Sequence, residues 1–144
     1  MLGPMSRWLR PIWGWLLVAA LGCGQAPAPP PSAEDADAKK SVELIIDFGD
    51  ATKKSYRVPW SPKLTVLAAM ERAAKTSEFE FQHRHRGEMA FLDAIGATRN
   101  ETGRSARVWI YHVNGQEADV GFGARELAPG DVVLWRFQKS QYNP

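Results

Sequence analysis

With 144 residues, the chain has the length of one folded domain with modest appendages. Its 18 lysines and arginines stand against 16 acidic residues. That surplus is too small for a protein whose affinity rests on neutralising phosphates, which argues against nucleic acid as a partner. A single cysteine excludes an intrachain disulfide.

Taken in chain order, Arg7 and Arg10 precede an apolar run from Ile12 to Leu21, followed by Gly22 and Cys23. A positive start, a short apolar stretch and a small residue before the cut make a secretory signal. The run is only about half the ~20 residues a helix needs to cross a bilayer, so a transmembrane anchor fits less well. Ala20-Leu21-Gly22-Cys23 resembles the lipobox of bacterial lipoproteins, departing from it at Ala20, where leucine is commonest. The resemblance implies that residues 1–22 are removed. It also implies that Cys23 receives a diacylglycerol on sulfur and an acyl chain on its new amine, holding the protein on a membrane of the cell envelope. Several acyl chains, at ~0.8 kcal/mol per buried methylene, anchor firmly where one does not. Gly24 replaces the aspartate often associated with inner-membrane retention, which favours the outer membrane or its periplasmic face. Loss of Arg7 and Arg10 leaves 16 basic residues against 16 acidic ones.

Residues 23–40 continue with Pro27, Pro29, Pro30 and Pro31 among small and charged residues. Such a composition buries too little apolar surface to offset its ordering entropy. An extended, proline-rich tether reaching up to roughly 50 Å from the bilayer is expected.

The folded domain is expected over residues 41–144. Val42, Leu44, Ile46 and Phe48 alternate with polar or outward positions, Gly49-Asp50 supplies a turn, and Tyr56, Val58 and Trp60 alternate again. This pattern predicts a β-hairpin. Ser61-Pro62 ends it, and Thr65 is placed to cap a helix of about 10 to 12 residues. Val66, Leu67, Met70, Ala73 and Ala74 form that helix's apolar stripe. Phe79, Phe81, His83 and His85 share one parity, predicting a strand that ends at Gly87. Residues 88–104 are less regular, with Phe91 and Ile95 as expected core anchors. Val108 to Val113 is apolar on both parities apart from His112, as in a well-buried strand. Asn114-Gly115 makes a two-residue hairpin turn, and Pro129-Gly130-Asp131 launches a last strand, Val132 to Phe137. Hairpin, helix, then several strands is an α+β order, one helix covering a mixed sheet. A β-grasp (ubiquitin-like) fold satisfies it.

Four blocks carry a family resemblance: Thr65-Val66-Leu67; Phe91 with Ile95-Gly96; Trp109-x-Tyr111-x-Val113-Asn114-Gly115; and Leu127-x-Pro129-Gly130-Asp131-x-Val133-x-Trp135. Together they resemble the transcobalamin C-terminal-like domain, a β-grasp family found in exported bacterial proteins, over about Val42 to Gln138. The resemblance implies the fold and makes a corrinoid one candidate ligand. In transcobalamin and intrinsic factor the related domain closes over cobalamin with a large helical partner domain, and no such partner domain is expected here. No residue in these blocks certifies corrinoid binding.

Chemistry is sparse. The one cysteine is expected to be lipidated, and no Gly-x-Ser-x-Gly or His-Glu-x-x-His pattern occurs. No catalytic residue and no cofactor is expected, and the chain is not expected to be an enzyme. Gly121-x-Gly123 lacks the third glycine of a dinucleotide loop and reads as a flexible loop. His83 and His85, two apart on a strand, would point the same way and could offer two nitrogens to a metal, but a third ligand is missing, and no metal site is expected. Arg84, Arg86, Arg99, Arg104 and Arg107 could form a basic edge for an anionic ligand. Trp60, Trp109, Tyr111 and Trp135 could line an apolar pocket. The candidate ligand-binding residues are Trp109, Tyr111, Asn114 and Gly115, near one sheet edge. The sequence therefore points to a tethered binding module for a small molecule, with an envelope protein-protein contact as the alternative.

Overall fold

The computed structural model describes residues 40–77 and 79–140. The signal segment, the lipobox with Cys23 and the tether up to Lys39 lie outside the described residues, as do Glu78 and residues 141–144. Among the described residues, no helix is long and apolar enough to cross a membrane.

The predicted hairpin is present. Strand β1 (Ser41–Asp47) pairs antiparallel with β2 (Lys53–Pro59), Val42 opposite Val58 and Leu44 opposite Tyr56. The period-two pattern fixes which face is buried: Val42, Leu44 and Ile46 are all at most 1 % exposed. Each such side chain contributes roughly 1.5–3 kcal/mol over leaving it in water. Helix α1 (Val66–Ser77) follows, and the Thr65 hydroxyl accepts the Ala68 N–H at 3.2 Å as its N-cap. Val66, Ala69, Met70 and Ala73 form the buried stripe; Leu67 and Ala74 are half-buried at its margins. The helix packs on β1 and β2.

The closing strands also fall where the pattern places them. Strand β6 (Arg107–Val113) turns through Asn114-Gly115 into the two-residue strand β7 (Gln116–Glu117), and β8 (Val132–Lys139) follows the Pro129-Gly130-Asp131 turn. Asn114 and Gly115 have φ of 51° and 80°, the left-handed geometry a two-residue turn requires. The sheet order is β2-β1-β8-β6-β7, with β1 and β8 parallel and the other neighbours antiparallel. Strand β6 is less buried than its composition implies. Trp109, Tyr111 and Val113 face the core, but Val108 and Ile110 are only half-covered, because α1 covers one face alone.

The middle of the chain departs most from the sequence reading. A second, three-stranded antiparallel sheet lies there: β3 (Phe81–Arg84), β4 (Phe91–Ile95) and β5 (Thr98–Arg99). Strand β3 is shorter than the Phe79–Arg86 alternation predicts. Gln82 lies opposite Ala94 and His83 opposite Leu92, so Asp93 is an extra residue and the register shifts. His85 then takes a left-handed φ of 59° and leaves the strand. A short 3₁₀ turn at Gly87–Met89 leads into β4. Ile95 is buried as expected, but Phe91 is 47 % exposed and is not a core anchor.

Candidate functional site

Where the two sheets part, they leave a groove of about 400 Å³. One wall is residues 88–92, the 3₁₀ turn running into β4; the other is residues 118–122, which follow β7; Trp109, Ile110, Tyr111 and Trp135 complete it. Its outer margin carries the exposed large apolar side chains of Met89 (72 %), Phe91 (47 %) and Val120 (41 %). A scattered exposed apolar residue needs no explanation, but three on one concave feature do.

The walls are held by backbone contact. A Cβ on Gly121 would collide with the backbone carbonyl of Glu88, and one on Gly123 would lie 2.8 Å from the N and O of Gly87. Gly121-x-Gly123 is thus a close-packed crossing rather than the loose loop the sequence suggests. The Tyr111 hydroxyl donates to the Val120 carbonyl at 2.5 Å, tying the far wall to β6. Burial pushes the Tyr111 phenol above its ordinary pKa. Arg125 opposes that shift, and Asp119 adds to it. Beneath, Phe122 is 1 % exposed and meets Trp135 edge-on at 5.2 Å, while its carbonyl accepts the Leu67 N–H. The same segment therefore builds the groove wall and caps the start of α1.

The aromatic residues divide into two roles. Trp60 donates to the Leu127 carbonyl at 2.6 Å and Trp109 to Thr98 at 3.0 Å, so both indoles tie loops to the sheet. Trp135, 2 % exposed and in contact with the groove, has an indole N–H with no partner. A buried donor left open in this way costs stability and calls for an acceptor.

Of the four ligand-site candidates, the structure brings Trp109 and Tyr111 together at the groove and sets Asn114 and Gly115 apart from its lining. Asn114 joins two turns: its side chain donates to Asp131 at 2.9 Å and accepts the Val132 N–H at 2.9 Å, while its own N–H reaches the Val132 carbonyl. His83 and His85 do not share a face. His83 is half-buried, stacked on Phe81 at 5.7 Å and edge-on to Phe122, whereas His85 is exposed. Among the described residues there is no cluster of three or more His, Cys, Asp or Glu able to hold a metal. Three of the five arginines are engaged internally. Arg84 pairs with Asp93 at 2.9 Å, and Arg99 donates to Gln82. Arg107 donates to the Phe48 and Phe137 carbonyls and lies over the Phe137 ring. Patterning missed Met89 and Val120 and placed Phe91 in the core. Their signal is apolar side chains in stretches with neither helical nor strand periodicity.

The fold and groove define a strand-dominated α/β domain with one α-helix among the described residues and an apolar cleft between its sheets. The chain belongs to the DUF4430 family, a domain of unknown function, which it matches over residues 64–139. No curated protein matches it in sequence. Among solved structures, it is similar to a candidate metal-binding protein from Ruminococcus gnavus ATCC 29149, with 10 % identity and a TM-score of 0.54 over 70 % of this chain and 98 % of that one. It is also similar to haptocorrin in complex with Cbi, with 18 % identity and a TM-score of 0.57 over 68 % of this chain. The match spans 25 % of the haptocorrin chain. At these identities the likeness is one of fold.

Proposed function

We propose that the protein is an exported, lipid-anchored binding module whose groove between β4 and β6 takes a small, largely apolar ligand. The observation that carries this reading is the exposure of Met89, Phe91 and Val120 on one concavity above Trp109 and Tyr111. Ligand sites are concave, apolar and provided with a few polar groups, and here Glu88 and Asp119 supply polar groups on the lining. The domain is read as a β-grasp. Its single helix on a sheet with a parallel β1–β8 pair supports that, as does the likeness to haptocorrin. That likeness makes a corrinoid the first ligand to test. The function is binding rather than catalysis, and the protein acts from the envelope membrane through Cys23.

Two measurements test the two halves of the reading. A thermal-shift titration of the protein with cobinamide, apolar ring compounds and short blocked peptides should raise the melting temperature by mass action with at least one of them, and Val120→Asp should abolish the rise. No shift with any of them would remove the small-ligand reading. Separately, Cys23→Ala should leave an unprocessed or soluble protein. Mature-sized mutant protein in the membrane fraction would contradict lipid anchoring.

A further inference from the structure

Part of the groove is a sheet edge with two backbone groups unused. In an antiparallel pair, each residue turns its N–H and C=O to the same side. The Arg107 carbonyl accepts the Glu101 N–H and its own N–H goes to the Glu101 carboxylate; the Trp109 N–H goes to the Asn100 side chain; the Tyr111 carbonyl accepts the Ala118 N–H. The odd-numbered residues of β6 therefore present their backbone away from β8. Between those bonds, the Trp109 C=O and Tyr111 N–H have no hydrogen-bond partner among the described residues, since β7 pairs only with His112 and Val113. Both residues line the groove.

The carbonyl before Ile110 and the N–H after it form the pair that one residue of a parallel neighbour engages, by donating its N–H to the first and accepting from the second. The protein already bridges the same split with an amide at one end. The Asn100 side chain accepts from the Trp109 N–H at 2.8 Å and donates to the Leu92 carbonyl at 2.7 Å, linking β6 to β4. The groove continues that split without such a bridge. Its charged lining residues are Glu88 and Asp119, both exposed, with no lysine, arginine or histidine among the lining. Arg125 lines an adjoining depression with Glu117 and Asp119 instead.

We infer that the ligand of this groove is an extended peptide segment. One apolar residue bridges Ile110 in the parallel sense, and basic flanking residues face Glu88 and Asp119. This rests on the groove being the ligand site, and it narrows the ligand to a peptide recognised by strand addition.

The test uses blocked tripeptides, acetyl-Lys-X-Lys-amide with X as Val, Ile, Leu or Phe, titrated into the full chain and followed by amide NMR. At least one should shift the Tyr111 N–H resonance and protect it from exchange. N-methylation of residue X, which removes the donated N–H, should weaken binding at least tenfold. The Glu88→Lys, Asp119→Lys double variant should lose the lysine peptides and prefer acetyl-Glu-X-Glu-amide. If no peptide moves the Tyr111 resonance, or the N-methyl analogue binds as well as its parent, the inference fails. Stabilisation by a corrinoid with no response to any peptide would leave the groove reading standing and overturn only the peptide.

Discussion

The two ends of β6 carry one continuous sequence block, Trp109 to Gly115, and do opposite things. At the Asn114 end the turn is joined to Asp131 and Val132 by three hydrogen bonds. At the Trp109–Tyr111 end the strand loses its neighbour, the sheets separate, and apolar side chains stand in solvent. A recognisable sequence block therefore need not mark one role. Within it Asn114 and Gly115 secure the fold, while the groove joins Trp109 and Tyr111 to Met89, Phe91 and Val120 from outside it.

The largest expected effect tests whether the open end is as firmly built as the closed one. Gly121→Val places a branched side chain against the Glu88 backbone, which has no flexible side-chain end to move aside. Destabilisation of about 3 kcal/mol is expected from such overpacking, read as a lower urea midpoint with an unchanged slope. A variant as stable as the parent would show that the walls part freely. Asn114→Ala comes next. It removes two side-chain bonds, leaves the Val132 N–H without its acceptor and puts alanine at φ 51°. A loss of about 2 kcal/mol is expected. Ligand affinity should hold, because Asn114 is not in the groove's lining; a fall in affinity comparable to that of a groove variant would erase the contrast between the ends.

A smaller effect lies at the far side of the sheet. Burial tends to raise the Asp47 pKa, but the Gly49 N–H, Lys53 and Arg136 outweigh it and hold the carboxyl below its ordinary value. A carboxyl with a lowered folded pKa adds stability above its unfolded pKa of about 3.9, and that stability disappears as pH falls through the folded value. The stability gap between the parent and Asp47→Asn should therefore be present at neutral pH and close in acid. Solvent around the exposed Lys53 keeps it modest. A gap that stays constant from neutral pH to pH 2 would show that the ionised carboxyl contributes nothing.

The elements legible in the sequence were those with one buried face. β1, β2, α1 and β8 each bury a face against the shared core, so Val42-x-Leu44-x-Ile46 or Val66…Met70…Ala73 announces both element and orientation. Turns with special φ were legible for the same local reason. Of the second sheet only β3 was legible, and it was read too long: β5 is too short for a period, and the bulge at Asp93 ends the alternation before His85. Tyr111 and Trp109 could be named as site candidates because strand and turn were both readable. Which end of the block borders a groove depends on Gly121 meeting Glu88, a contact between residues 33 positions apart that no local pattern encodes.

The smallest effect on stability is expected where the effect on function is greatest. Met89 and Val120 are 72 % and 41 % exposed, so a Met89→Ser, Val120→Ser double variant removes apolar surface that folding buries only in part. Its stability should stay within about 0.5 kcal/mol of the parent. The same side chains border the groove, and any ligand seated there loses contact area with both. Side chains kept for the core would give the reverse result, a destabilised protein with intact binding. Parallel measurement of the urea midpoint and of ligand-induced thermal shift on this variant therefore separates the two roles: an unchanged midpoint with lost binding assigns the exposed pair to ligand, and a midpoint that falls while binding persists assigns it to the fold.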